Sequence, residues 1–278
     1  MGKLIDIPGY ARAYRELLGI LRRHARLLLL LTRREIVEPH AGQLLGAFWV
    51  IGHPLFLLAV YTAIFNLIFR AHIGGSVELP LDYTAYVLSG LVPWMAFQQG
   101  ITKGVSAIVS NATLVKQQIF PVEVLPLRSA LSSGIVLILG VVFLTLYDVL
   151  REHAAYWTFI LIVPIALLQL AATAGLAFVL SSLGVFLRDV REMVQLFCVV
   201  NIYLMPAIYL PSMIPPPFRP LLYANPFSYV IWCYQDALYF GRIEHPWAWA
   251  INIAFSLIIL VIGYRLFRKL KPMFGNVL

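Results

Sequence analysis

Apolar residues in this chain come in runs too long and too continuous for a soluble fold. A helix needs about 20 mostly apolar residues to cross the hydrocarbon of a bilayer. Five runs qualify, at roughly 44–69, 126–147, 157–187, 193–210 and 247–264. A sixth, 85–109, carries Gln98, Gln99 and Lys103 near its end and spans if its last turn leaves the hydrocarbon. Charge is also too scarce to cover a soluble surface: 12% of residues are charged and 61% hydrophobic, whereas soluble domains carry roughly 25% charge. The runs are unbroken rather than alternating in ~10-residue segments, which selects helices over a barrel. The expected fold is all-α and polytopic, with six transmembrane helices.

Lys and Arg set the expected orientation, because cytoplasmic loops are enriched in both. Eight precede the first span. Lys103, Lys116 and Arg128 follow the second, Arg188 and Arg191 follow the fourth, and Arg265, Arg268, Lys269 and Lys271 lie in the tail. The other connections hold only Arg70, Arg151, Arg219 and Arg242. Both termini are therefore expected in the cytoplasm of a bacterial inner-membrane protein. The net charge of +8 follows from this topology and does not call for nucleic acid. Residues 221–240 are long enough to be a seventh span, but they contain Asn225-Pro226 and Asp236 and follow the proline-rich stretch 211–217. Proline breaks helices and biases the preceding residue away from α, so 211–246 reads as short external helices that dip into the outer leaflet and return. The fourth run, 31 residues, makes a helix of about 46 Å and should project into the cytoplasm near Arg188-Asp189.

Ahead of the first span, Arg12, Arg15, Glu16, Arg22, Arg23 and Arg26 recur on one helical face, with Tyr10, Tyr14, Leu17, Leu21, Ala25 and Leu28 on the other. Such a helix lies in the membrane interface. It is either an orientation anchor alone or a guard of the cytoplasmic entrance whose arginines (Arg22, Arg23, Arg26, Arg33, Arg34) meet a phosphate-bearing headgroup. The start, Met1-Gly2-Lys3-Leu4-Ile5-Asp6, has no h-region or cleavage site, so no signal peptide is expected.

Catalytic and metal signatures are missing. There is no G-x-x-x-x-G-K-[ST], H-E-x-x-H, C-x-x-C or G-x-S-x-G, so neither a nucleotide site, a metal site nor a catalytic residue is expected. Cys198 and Cys233 read as packed free thiols, and His53, beside Pro54 in span one, as a packing residue. No Asp or Glu falls in the core of a run, although ion-coupled carriers generally need an ionisable group there. Energy for transport would then arrive from a partner ATPase.

The stretch Asn111-Ala112-Thr113-Leu114-Val115-Lys116-Gln117-Gln118-Ile119-Phe120-Pro121-Val122-Glu123-Val124-Leu125-Pro126 resembles the coupling segment of ABC-2 type permeases. Leu45-Gly46-Ala47-Phe48-Trp49 with Pro54, Phe186-Leu187-Arg188-Asp189-Val190, and Pro206-Ala207-Ile208-Tyr209 with Asn225-Pro226-Phe227 resemble further elements of the family in the same order. The polysaccharide-exporting branch is the most similar. Glu38-Pro39-His40-Ala41-Gly42-Gln43 departs from the Arg-Tyr-x-x-Ser-like stretch common in relatives.

The resemblance implies two parts, a cytoplasmic amphipathic helix with its entrance segment over 1–43 and the transmembrane domain over 44–278. It implies a homodimer carrying two separate nucleotide-binding subunits, with ATP and Mg bound there and no cofactor on this chain. Lys116, Gln117, Gln118, Ile119, Phe120 and Pro121, with Arg188 and Asp189, are the expected coupling residues, and Phe120 is either a knob for the partner or tucked against its own helix ends. For a sliding lipid-linked glycan, Tyr61, Phe65 and Phe69, one helical face, with Tyr203 and Tyr209 of span five, are the candidate path. Rings there can cover sugar faces by weak, repeated contacts, or can simply fill the core. Export of a drug or lipid, a membrane-embedded glycan transferase and a scaffold without flux are the alternatives.

Overall fold

The computed structural model describes residues 7–66, 81–116, 120–151, 153 and 156–278, without the side chains of 7–12. All regular structure among these residues is helical. The principal helices are α1 (Ile7–Arg23), α2 (Ala25–Val37), α3 (Phe48–Ile64), α4 (Tyr83–Ser106), α5 (Val124–Arg151), α6 (Ile162–Phe186), α7 (Val190–Asn201), α8 (Arg219–Ala224), α9 (Pro226–Leu238) and α10 (Pro246–Val277).

Three helical stretches among the described residues are long and apolar enough to cross a membrane: α5, Trp157–Phe186 and α10, with mean hydropathies of 2.3, 2.2 and 2.0. At 1.5 Å per residue, α5 and α10 run about 42 and 48 Å. Helix α4 is 24 residues long but less apolar, for a physical reason. It is the central helix, packed against α5, α6, α7 and α9, so its face meets protein rather than lipid. Asp82 caps its start, accepting the Ala85 amide at 2.8 Å and the Tyr147 hydroxyl at 2.6 Å.

Close helix approach depends on small residues. Helices α6 and α10 cross where Gly175 faces Gly263, and a Cβ on Gly263 would lie 2.1 Å from the Gly175 carbonyl oxygen. Beyond the crossing, Phe178 meets Tyr264 and Phe267 edge-on, with centroids 5.6 and 5.1 Å apart.

Two elements differ from expectation. The amphipathic segment is a pair of helices hitched at His24 (φ −111°). The break is slight, since the His24 amide still bonds to Ile20 O at 2.9 Å and Leu28 to His24 O at 2.8 Å. The fifth run is helical only over the 12 residues of α7, about 18 Å, and 202–210 continue as turns. Pro206 has no amide to extend the helix. The turns that follow can stay irregular because their carbonyls are answered from elsewhere in the fold. Pro206 O accepts Gln235 Nε2 at 2.7 Å and the Tyr86 hydroxyl at 3.3 Å, and Tyr209 O accepts Tyr86 at 3.2 Å. Ile208 O accepts the Tyr83 hydroxyl, and Leu204 O accepts Asn225 Nδ2 at 3.0 Å. Gly90 of α4 lets these turns lie against it, since a Cβ there would sit 2.7 Å from Ala207 Cα. Irregular backbone of this kind persists only where protein satisfies it.

Candidate coupling surface, aromatic path and polar cleft

Of the expected coupling residues, Lys116, Phe120, Pro121, Arg188 and Asp189 are described, and they gather at one end of the bundle with α1 and the last turns of α10. Lys116 is exposed, and Phe120 is partly buried against the apolar cluster that includes Leu17, Leu28, Ile108 and Val122. Phe120 is therefore neither a free knob nor fully tucked: one side of the ring anchors the segment and the remainder is open. Gln117, Gln118 and Ile119 lie outside the described residues. Two residues after Pro121, Glu123, its side chain 10% exposed, accepts Lys271 Nζ of α10 at 2.6 Å. Arg188 and Asp189 are exposed on the break between α6 and α7. Phe274 joins Phe186 just before that break to the cluster under Phe120, at a centroid distance of 6.3 Å. Arg268 pairs with Glu16, tying α10 to α1.

The candidate path residues separate into two groups at the opposite end. Tyr203 (63% exposed) and Tyr209 lie beyond the end of α7 rather than within a helix. They line an open cavity of about 390 Å³ together with Met213, Ile214 and Phe218, and the Tyr209 hydroxyl donates to Tyr203 O at 2.7 Å. Tyr61 and Phe65 pack inward against the cluster of Tyr83, Tyr86 and Tyr239, Phe65 meeting Tyr83 at 6.0 Å. Phe69 lies outside the described residues. The Asn225-Pro226-Phe227 motif has a local explanation: Asn225 Oδ1 accepts the Phe227 amide at 3.1 Å as N-cap of α9, with Pro at the first helical position.

All five arginines of the basic segment (Arg22, Arg23, Arg26, Arg33, Arg34) are exposed. Arg34 is committed to Glu38 at 2.9 Å, and that hydrogen bond, with the arginine's charge, holds the Glu38 carboxyl below its ordinary range.

Sequence reasoning missed a polar cleft between α2, α3, α4 and α5. Glu35 and Arg128 form an ion pair at 2.8 Å, each side chain 13% exposed, and Ser132 Oγ donates to Glu35 at 3.1 Å. Lys103 lies beside them, with Ser132 Oγ at 3.5 Å. The adjoining space of about 200 Å³ is lined by His40, Trp49, His53, Gln99, Lys103 and Ser132 among others. His53 is exposed here and is not a packed core residue. The signal for this site was the pair Gln99 and Lys103, one helical turn apart and on one face of α4. Elsewhere, Cys198 and Cys233 are buried and unbridged, and Asp236 is fully buried, accepting His245 Nδ1 at 2.8 Å and Trp249 Nε1 at 2.9 Å.

Residues 26–239 match the family model of the ABC-2 type transporter. The chain is 29% identical to an O-antigen export system permease protein RfbA of Klebsiella pneumoniae, over 91% of this chain and 95% of that protein. It is 24% identical to the protein of the same name in Myxococcus xanthus, over 90% and 94%. To the polysialic acid transport protein KpsM of Escherichia coli it is 22% identical, over 84% and 90%.

Proposed function

The chain belongs to the ABC-2 type transporter family, and on that premise we propose that it is the channel-forming membrane subunit of an exporter of lipid-linked, O-antigen-like polysaccharide. The observation that carries the reading is end-to-end similarity to O-antigen export permeases, over nine-tenths of both chains. ATP and Mg are bound by a separate nucleotide-binding subunit, in keeping with the lack of any P-loop sequence on this chain. Two copies of the chain form the conduit in the bacterial inner membrane. Six crossings are made by α3, α4, α5, α6, α7 with 202–210, and α10, with both termini in the cytoplasm. The end holding Phe120, Arg188 and Asp189 then faces the ATPase, and 211–245 dip into the outer leaflet and return. Lys116, Gln117, Gln118, Ile119, Phe120 and Pro121 grip the partner. Tyr203 and Tyr209 meet the glycan on its way out, with Tyr61, Phe65 and Phe69 supporting the wall. The exposed arginines Arg22, Arg23, Arg26 and Arg33 rest on anionic headgroups beside the entrance.

The test is export itself. Removing the chain from its cell should leave lipid-linked glycan inside and none at the surface, and returning it should restore display. Unchanged surface glycan without the chain would sink the reading. Coupling has its own test: Phe120→Ala should leave the protein in the membrane while cutting ATPase co-purification about tenfold or more, since buried aromatic anchors often carry ~2 kcal/mol or more at an interface. Wild-type recovery of the ATPase would move the grip to Arg188 and Asp189.

A further inference from the structure

We infer that the cleft between α2, α3, α4 and α5 binds the phosphate head of an amphiphile, with the Lys103 ammonium as its principal charge contact and α3 as the track for its apolar tail. The inference rests on the exporter reading for the identity of that amphiphile, but not for the existence of the site.

Charge is the first argument. Arg128 is balanced in charge by Glu35 at 2.8 Å, although its Nε–H finds no hydrogen-bond acceptor, and Glu35 is engaged further by Ser132 at 3.1 Å. That pair is neutral as a unit. Among the described residues, Lys103, with three N–H donors, has one hydrogen-bond contact, Ser132 Oγ at the outer limit of 3.5 Å; Glu35 attracts it through space but is already matched by Arg128. An ammonium held among packed helices with so little compensation is costly, and an anion is the partner that offsets it. Gln99, one turn earlier on the same helix, has an Oε1 that is buried without a hydrogen-bond partner. Turning the amide exchanges that acceptor for N–H donors, which suits phosphate oxygens.

Size and direction are the second argument. The space of about 200 Å³ is roughly six times a water's share of the liquid. That takes a phosphate or diphosphate group and excludes a polymer. The mouth is formed by His40, Trp49 and His53, which also line a wider open space of about 450 Å³. From there Trp49, His53, Phe56 and Val60 follow one another along a single face of α3 at intervals of four, three and four residues. Phe56 is 67% exposed and Val60 36%. A polar pocket continued by an exposed apolar stripe is the complement of a lipid-linked phosphate, and a free phosphate would leave the stripe unused.

The experiment uses the purified full chain in detergent and measures binding by native mass spectrometry with three probes: sodium diphosphate, phosphatidylglycerol and a polyprenyl diphosphate. Both lipids should bind at least tenfold more tightly than diphosphate. Lys103→Gln should weaken lipid binding about tenfold and Lys103→Arg far less, at an unchanged melting temperature. Gln99→Leu, at a position whose buried oxygen has no partner to lose, should weaken it severalfold and serves if Lys103→Gln fails to fold. Preference for polyprenyl diphosphate assigns the cleft to the carrier of the exported chain, and equal affinity for phosphatidylglycerol assigns it to a bulk headgroup. Wild-type binding by both folded variants overturns the site, and diphosphate binding as tightly as either lipid overturns the track. Tight, Lys103-dependent binding in a chain that exports no glycan would instead sink the exporter reading and leave the site standing.

Discussion

Asp82 and Asp236 aside, the two ends of the bundle tie their elements together by opposite means. At the end holding α1, Phe120 and the tail of α10, separate helices are joined through charged side chains: Glu35 to Arg128, Glu123 to Lys271 and Glu16 to Arg268. At the other end, neutral donors close on backbone. Tyr83, Tyr86, Gln235 and Asn225 bond to the carbonyls of 204–209, and Tyr239 bonds to Leu81 O at 3.1 Å. The chemistry differs because the problem differs. Long charged side chains bridge gaps between regular helices whose own backbone is already paired. Turns 202–210 have orphaned backbone groups, and in a bilayer those must be met by the protein itself. A side-chain pair can be deleted from both sides, but a carbonyl cannot be deleted, and this asymmetry makes the comparison testable.

The largest effect is expected at Arg128. Arg128→Met takes the ion-pair partner from the Glu35 carboxylate, 13% exposed, and should cost about 3 kcal/mol, at the lower end for breaking a buried pair because Lys103 and Ser132 still attract it. Adding Glu35→Gln should recover most of the loss, because a neutral, apolar replacement of both partners is often close to neutral. Melting temperatures of the purified single and double variants measure it. A double variant as unstable as Arg128→Met alone would mean that shape, not charge, holds α2 to α5.

Gln235→Leu probes the other end. Among the described residues it leaves Pro206 O with the Tyr86 hydroxyl at 3.3 Å alone, and it should lower stability by about 1–2 kcal/mol. No second-site change restores it, since the acceptor is backbone, and adding Tyr86→Phe should deepen the loss. Recovery in that double variant would show that 202–210 can re-form helix and would erase the contrast between the ends.

This contrast also marks what the sequence reveals and what it hides. Long apolar runs are local, so α5, Trp157–Phe186 and α10 follow from composition and length, and the Asn225-Pro226 cap follows from adjacent residues. The end of α7 at Asn201 is not local. The carbonyls of the turns after it are met by Tyr83 and Tyr86, some 120 positions away, and along the chain 193–210 reads as one span. The cleft was hidden for the same reason. Lys103 and Gln99 interrupt an apolar run, which suggests only that the run leaves the membrane, until the Glu35–Arg128 pair draws α2 onto α5 and makes a pocket of the interruption. Spacing put Tyr61 and Phe65 on one helical face, but spacing does not say whether that face meets a conduit or Tyr83.

A smaller effect is expected at Lys271. Its partner Glu123 is 10% exposed but Lys271 itself is 38% exposed, so solvent screens the pair and Lys271→Met should cost under about 1 kcal/mol. Its consequence should be positional: Glu123 is two residues after Pro121, and loosening it should weaken ATPase co-purification more than thermal stability. The exchanged pair Glu123→Lys with Lys271→Glu should restore co-purification. Loss that persists in the exchanged pair would make Glu123 a contact of the partner and not a strut to α10.

The smallest effect belongs to Arg34 and Glu38, and it calibrates the rest. Their geometry rivals the buried pair, with Nη2 2.9 Å from Oε1 and a second bond from Nε at 3.1 Å. The hydrogen bond and charge of Arg34 lower the Glu38 pKa from its ordinary 4.5. A carboxylate with a depressed folded-state pKa adds stability that is present above about pH 4.5 and is lost as pH falls through the depressed value. Here both side chains are solvated, at 67% and 59% exposure, so water and salt cancel most of the attraction. Glu38→Gln should therefore track the wild-type melting temperature at every pH from 7 down to below 4.5, in low salt and in high. A gap that opens above pH 4.5 and closes in acid would show that α2 depends on this surface pair, and that distance rather than burial decides which ion pairs hold this end together.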